Sequence, residues 1–497
     1  MAQHDITKLL SYAVAIGISY AIAQLTYNVF FHPLRKFPGP LINAATPFPR
    51  LWLYYNGREN LGLAALHKKY GSIVRVAPDE LSFIDGAAWK DIYGTAKDIN
   101  RKDEKFYPVS ANGVHSILTA NDADHTRMRK ALLPAFSDRA LRAQEGLLKT
   151  YVQWLVTGLR QKQEKGEAID MVKMYNFTSF DIMSDLSFGE PLGALKNMEA
   201  TDWMTTIFDM IFYWAFSRIP RHFPIVWAIV DFCIPKSFKD KGLASFNHTV
   251  ERVNKRLEME TDRPDLVSFI MENNHGSTSV EELHSNADIF MIAGTETTST
   301  LLSGLTCLLL QNPRVMEKLT AEIRGAFPTV DDITIDTLAA LPYLAACINE
   351  AFRIYPPVPT AVRRLTNATT GAQVAGHWIP PNTSVGVPQW PANHSDKNFV
   401  DPESFIPERW VAEGTEDYDE RFAGDNRQAM QPFSVGKRNC IGKNLAYHEM
   451  RLIIAYLFVT FDLNWDNKAD ADDWLDQKLY ILWDKKPLMC KLTPVAA

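Results

Sequence analysis

Phe433-Ser434-Val435-Gly436-Lys437-Arg438-Asn439-Cys440-Ile441-Gly442 sets one cysteine in a glycine-bracketed loop that opens into an apolar, helix-compatible stretch. Backbone N–H groups converging at a helix start favour negative charge, so the pattern predicts a sulfur held as thiolate, the form that ligates a metal. Gly436 permits a tight turn, and Gly442 lets the backbone approach a flat group closely. Phe433 would screen the sulfur from water, and Arg438 offers a cation to an acidic substituent. A lone cysteine is more often a buried small hydrophobe. The bracket of fixed residue types around Cys440 favours the ligand reading instead.

The pattern Phe-x-x-Gly-x-Arg-x-Cys-x-Gly resembles the haem-binding loop of the cytochromes P450 without departure. By that resemblance Cys440 is the axial ligand of haem iron, haem b being the cofactor, and thiolate electron donation favours O–O cleavage. The fold it implies is mainly α with small β sheets, a single large domain behind an N-terminal transmembrane helix.

With 497 residues, 46% hydrophobic and 22% charged, and a net charge of −6, the chain has material for a large core and no basis for nucleic-acid binding. Cys233, Cys307, Cys347, Cys440 and Cys490 lie far apart, which argues against a disulfide framework or a zinc site and for a reducing compartment. Residues 9–31 carry no charge, enough to span a bilayer, with Tyr20, Tyr27, Phe30 and Phe31 placed as interfacial aromatics. Residues 1–31 are therefore expected to be a single-pass anchor, and Arg35 and Lys36 place the C-terminal part in the cytosol. Pro33, Pro38, Gly39 and Pro40 forbid helix continuation, so 32–40 reads as a proline-rich hinge before a catalytic domain at 41–497. The wording Phe-His-Pro-Leu-x-x-Phe-Pro-Gly-Pro is similar to fungal membrane-bound members, which implies an endoplasmic reticulum location.

Alternation predicts strands at 72–76, 80–84 and 383–387, and helical spacing predicts helices at 146–159, 286–310, 315–327, 344–354 and 444–459. Within 286–310, Ala293-Gly294-Thr295-Glu296-Thr297-Thr298 lowers helix propensity, so a local distortion is expected, with Thr297 bonding back to Ala293. Small residues there also suit plain helix–helix packing, with Glu296 turned to solvent. The stretch is similar to the family's oxygen-activation motif. That likeness implies Thr297 and Glu296 as proton-delivery groups, with Ala293 against the cofactor.

Glu350 and Arg353 lie three residues apart on one helical face, and Phe405-Ile406-Pro407-Glu408-Arg409-Trp410 brings a second arginine. These segments resemble the family's Glu-x-x-Arg helix and its partner, implying a buried structural triad of Glu350, Arg353 and Arg409. His125-x-x-x-Arg129 matches a position where the family often has Trp-x-x-x-Arg; the histidine is a departure that would still donate to a haem propionate. Arg364, rather than Arg363, is a further propionate candidate by register with fungal relatives. Lys437, Arg438, Lys443, Arg127 and Lys130 form a candidate basic patch for an acidic reductase. Substrate contacts are expected from 106–119, 203–227, the helix face near Ala293, 358–362 and 477–481, with Phe208, Phe212, Tyr213, Trp214 and Phe216 suiting a lipophilic ligand or core packing.

The resemblance implies a monooxygenase that oxidises a lipophilic small molecule with O₂, using electrons from NADPH through NADPH-cytochrome P450 reductase. Tyr175-Asn176-Phe177-Thr178-Ser179-Phe180-Asp181 is similar to members that tailor fungal secondary metabolites. Two alternatives remain open at this point. One is a haem-thiolate isomerase or dehydratase working without external electrons, and the other is a non-enzymatic haem sensor.

Overall fold

The structure is a computed structural model that describes residues 2–94, 101–107, 109–259, 265–274, 278–470 and 473–495. Its axis is the Val280–Gln311 helix, started by a capping box in which the Ser279 hydroxyl accepts from the Glu282 N–H and the Glu282 carboxylate accepts from the Ser279 N–H. Asn312-Pro313 stops it, because proline starts the next helix, Pro313–Ala326, where its missing N–H does no harm. From Thr298 to Leu309 every side chain is buried, the pattern of a helix enclosed on all sides rather than amphipathic.

The distortion expected at 293–298 does not occur: the helix runs unbroken through it. The Thr295 and Thr297 hydroxyls bond back to the carbonyls of Met291 and Ala293 (2.5 and 2.7 Å), so their polar groups are satisfied without opening the backbone. Gly294 serves a contact, since a Cβ there would sit 2.6 Å from Met183 Sδ on the crossing Met171–Phe188 helix.

Pro342–Ile354 and Lys443–Thr460 pack against this axis, and Glu145–Glu164 packs on Lys443–Thr460, each burying an apolar face in one continuous core. All five helices read from spacing are present, their ends within a few residues of the reading. The three predicted strands appear as Ile73–Ala77, Glu80–Phe83 and Ser384–Gly386. They belong to a five-stranded sheet completed by Arg364–Leu365 and then Arg101–Lys102 at its edge.

Ser11–Phe31 is long and apolar enough to cross a membrane, and side chains such as Leu9, Ile16 and Tyr20 are exposed. The following 32–40 segment differs from the expected hinge. Leu34 is fully buried, the Arg75 N–H donates to Pro38 O (2.7 Å), and Arg75 Nη1 reaches back to Asn28 O (3.0 Å). Its apolar residues and the buried arginine dock it on the sheet.

Candidate active site

The cysteine loop closes on itself through Cys440 N–H donating to Phe433 O (2.8 Å) and Asn439 N–H donating to Gly436 O (3.1 Å). Gly436 has φ +77°, and a Cβ on it would fall 2.1 Å from the Tyr93 carbonyl oxygen, so glycine is required by both conformation and space. The Lys443–Thr460 helix starts immediately after Gly442 and puts Cys440 at its N-terminal end. Cys440 is exposed although protein surrounds it, because the surface it presents belongs to an internal cavity. Burial pushes its thiol pKa up, against the Gly442 amide, Arg129 and Lys443, which pull it down. The lowered pKa read from the loop is thus outweighed by desolvation, and a metal cation on the sulfur is what would reverse the balance.

That cavity, about 320 Å³, is lined by Phe433, Cys440 and Gly442 from the loop and by Ala293, Gly294 and Thr297 from the Val280–Gln311 helix. Its rim gathers cations. Lys102 and Arg364 are direct cross-strand neighbours in the antiparallel pair that ends the sheet, and both line the cavity with Arg438. Like charges placed opposite one another are destabilising unless an anion lies between them. Burial, then Arg364 and Arg438, hold the Lys102 ammonium well below its usual pKa. Arg438 is anchored by Asp122 Oδ1 (2.7 Å) and Ala120 O (2.9 Å), yet its Nη1 is without a hydrogen-bond partner, as are Arg364 Nη1 and His125 Nδ1. Burial, then Arg438, Lys102 and Arg129, hold His125 down to about 3 and therefore neutral. A flat ligand carrying acidic substituents beside these groups, with a metal at Cys440, fits what the residues offer. Haem b has those features.

Arg363 points elsewhere, to Glu80 Oε2 (3.1 Å). Arg129 does not line the cavity; it clamps Asn439 through that residue's backbone oxygen (2.7 Å) and side-chain oxygen (2.5 Å), steadying the residue next to Cys440. Lys102 was missed by the sequence reading, as was Glu449, which lines the same cavity. Burial pushes the Glu449 carboxyl up to about 8, against a hydrogen bond from Thr298. Thr297 faces the cavity, whereas Glu296 is buried behind it, paired with Lys485 Nζ and held by Thr300. Neither a solvent-facing Glu296 nor one open to bulk water is found.

Glu350 accepts from Arg353 Nη2 (2.7 Å), Arg409 Nε (3.0 Å), Trp410 Nε1 (2.8 Å) and the Ile406 N–H (2.9 Å), with the three charged side chains almost fully buried. Arg409 also pairs with Asp425, a buried fourth charge that the sequence did not show. Phe352, on the same helix, meets Phe433 edge-on at 5.1 Å, so the cluster bears on the cysteine loop.

A second cavity of about 630 Å³ adjoins the first, sharing Leu118 with it, and takes its walls from 109–119, 207–246 and 288–292. Tyr213 and Trp214 line it, but Phe208 packs on Phe180 and both Phe212 and Phe216 pack on Tyr480. Val358 and Val362 line the smaller cavity, while Gln477 is tied to Tyr355, outside either. Pro108, within 106–119, lies outside the described residues. The basic patch shrinks: Arg127 pairs with Glu282 (2.6 Å) and Arg438 with Asp122, which leaves Lys130, Lys437 and Lys443.

The cytochrome P450 family model matches residues 43–492. The cytochrome P450 monooxygenase efuB of Hormonema carpetanum is 45% identical over 488 residues, covering 96% of this chain and 95% of that protein. The cytochrome P450 monooxygenase FUM2 of Gibberella moniliformis is 46% identical, covering 94% of this chain and 99% of that protein. The averantin hydroxylase of Dothistroma septosporum is 39% identical, with 98% and 92% covered. Matches of this extent, over a cysteine loop and cavity of this chemistry, mean that the chain belongs to the cytochrome P450 family and is an oxidoreductase of its monooxygenase kind.

Proposed function

We propose that the chain holds haem b through Cys440 and hydroxylates, epoxidises or otherwise oxidises a lipophilic small molecule of fungal secondary metabolism. The observation that carries this is the shared cavity of Cys440 and Thr297, rimmed by Arg364 and Arg438, each with an unpartnered Nη1, and by Lys102, whose ammonium donates to Leu118 O. When bound there, haem supplies O₂ activation, and thiolate ligation is a general property of cytochrome P450 haems. Arg364, Arg438, Lys102 and neutral His125 would hold the propionates; Arg129 acts through Asn439 on the loop. Phe433 shields the sulfur, and Gly442 leaves room beside it. The Thr297 hydroxyl, anchored on Ala293 O at 2.7 Å, passes a proton toward the oxygen-binding side. Glu296, paired with Lys485 Nζ behind Thr297, would resupply that proton only after parting from the lysine and taking a proton from water. The names of the relatives support a secondary-metabolite substrate, and the likeness to this enzyme class supports NADPH-cytochrome P450 reductase as electron donor.

The Ser11–Phe31 span supports a single-pass anchor in the endoplasmic reticulum, with 32–40 as a docked exit and 41–497 as the cytosolic catalytic domain. A second apolar surface agrees with this. Ile225, Ile229 and Phe232 are exposed, and Phe223 beside them stacks on exposed Phe48 at 5.5 Å. The deciding experiment is the ferrous, carbon monoxide-bound spectrum of the purified protein. The thiolate-type red-shifted Soret band is expected and should vanish in Cys440→Ala; its absence from the parent protein would refute the proposal.

A further inference from the structure

The larger cavity is mostly apolar, and its ionisable groups are unevenly placed. Lys239 and Asp231 pair with each other (3.1 Å), and both are about half exposed. The Arg221 guanidinium lies over the Trp227 ring at 5.0 Å. Asp288 remains, on the wall that also carries Ile292, at the boundary with Ala293. The only side chain bonded to it among the described residues is Thr249, whose hydroxyl donates at 3.3 Å. Thr249 and Lys239 share the Lys236–Glu258 helix ten residues apart, so that lysine stands about 15 Å farther along the helix. His284, one turn before Asp288, is held below its usual pKa by burial and bonds Asn254 (2.8 Å), and Arg252, one turn from Thr249, donates to Ser184 (3.2 Å), so among the described residues no cation is bonded to Asp288.

We propose that Asp288 anchors the substrate, and that the substrate is a lipophilic molecule bearing a protonated amine remote from the carbon that is oxidised. This rests on the haem-thiolate reading above. Along the Val280–Gln311 helix, Ala293 and Thr297 stand about 8 and 14 Å from Asp288 by helical rise, which sets the spacing between amine and reacting carbon. An unpaired ionised carboxylate in such surroundings is costly, and an ammonium that hydrogen-bonds to it removes that cost. Burial pushes the Asp288 carboxyl up to about 6, so it is ionised at neutral pH and takes up a proton in mild acid.

The test uses holoprotein and two probes of equal chain length, N,N-dimethyldodecylamine and 1-dodecanol, titrated while the Soret spin-state shift is read. The crowded tertiary nitrogen is a poor iron ligand and is protonated at neutral pH. In Asp288→Asn the amine should bind about tenfold or more weaker, the size of one charge-assisted hydrogen bond, while the alcohol is unchanged. In the unaltered protein the amine alone should weaken below about pH 6. Equal effects on both probes, no effect on either, or a larger effect on the alcohol would overturn the proposal. Absence of the thiolate Soret band would refute the haem reading itself, whereas a normal band without amine discrimination refutes only the anchor.

Discussion

Gly436→Ala perturbs the cysteine loop at one point whose neighbours are known. The backbone there has φ +77°, a left-handed conformation that costs a residue with a side chain about 1–2 kcal/mol. The added Cβ would stand 2.1 Å from the Tyr93 carbonyl oxygen, against an ordinary C···O approach of about 3.3 Å, so something must withdraw by roughly 1 Å. Tyr93 has little freedom to yield: its ring is buried against Trp89, and its hydroxyl accepts the Val387 N–H (3.1 Å). The movement therefore falls on the loop, where Gly436 O holds the Asn439 N–H and Phe433 O holds the Cys440 N–H. Functional constellations tolerate displacements of only about 0.5 Å, so the sulfur leaves the position from which it binds iron. Haem content per chain and the ferrous carbon monoxide spectrum should show depleted haem and a band shifted away from the thiolate type. Full haem content with an unchanged band would refute this account of the loop.

Gly442→Ala separates fold from cofactor, because among the described residues a Cβ there would meet only Phe136, at 4.0 Å; it should fold normally but lose haem faster, measured as transfer to apomyoglobin, and an unchanged rate would show that Gly442 does not abut the macrocycle. Arg353→Ala leaves Glu350 short of a buried partner and should lose about 3–5 kcal/mol, so that expression yields little holoprotein; a stable, haem-loaded variant would contradict the triad's role. Thr297→Ala should keep haem and substrate affinity but divert reducing equivalents to peroxide, and an unaltered ratio of product to NADPH consumed would remove Thr297 from proton delivery. Lys485→Met strands the Glu296 carboxylate and should lower the urea midpoint, while Glu296→Gln in the same chain restores most of the loss; additive losses would show that the pair is uncoupled.

What could be read from sequence was local. The cysteine loop lies within ten consecutive positions, Thr297 reaches Ala293 one helical turn back, and Glu350 meets Arg353 within the same turn. Charges whose meaning depends on a distant partner were hidden. Lys102 sits in an unremarkable charged stretch and reaches the cavity rim only because its strand pairs with Arg364, while Lys485 is brought to Glu296 from the far end of the chain. Arg127 and Arg129 show the same limit, since two positions on nearly opposite faces of one helical turn deliver one to Glu282 and the other to Asn439. The distortion expected near Gly294 failed because propensity was weighed without the Met183 contact that uses the glycine.

The docked exit from the span has a mechanical consequence. For the anchor proposed above, with Leu34 sunk into the body and Arg75 gripping both Asn28 and Pro78, rocking of the N-terminal helix would be passed on to the globular part as by a lever arm. A thinner bilayer tilts such a rod more. Lipid thickness would then set how deeply Ile225, Ile229 and Phe232 sink.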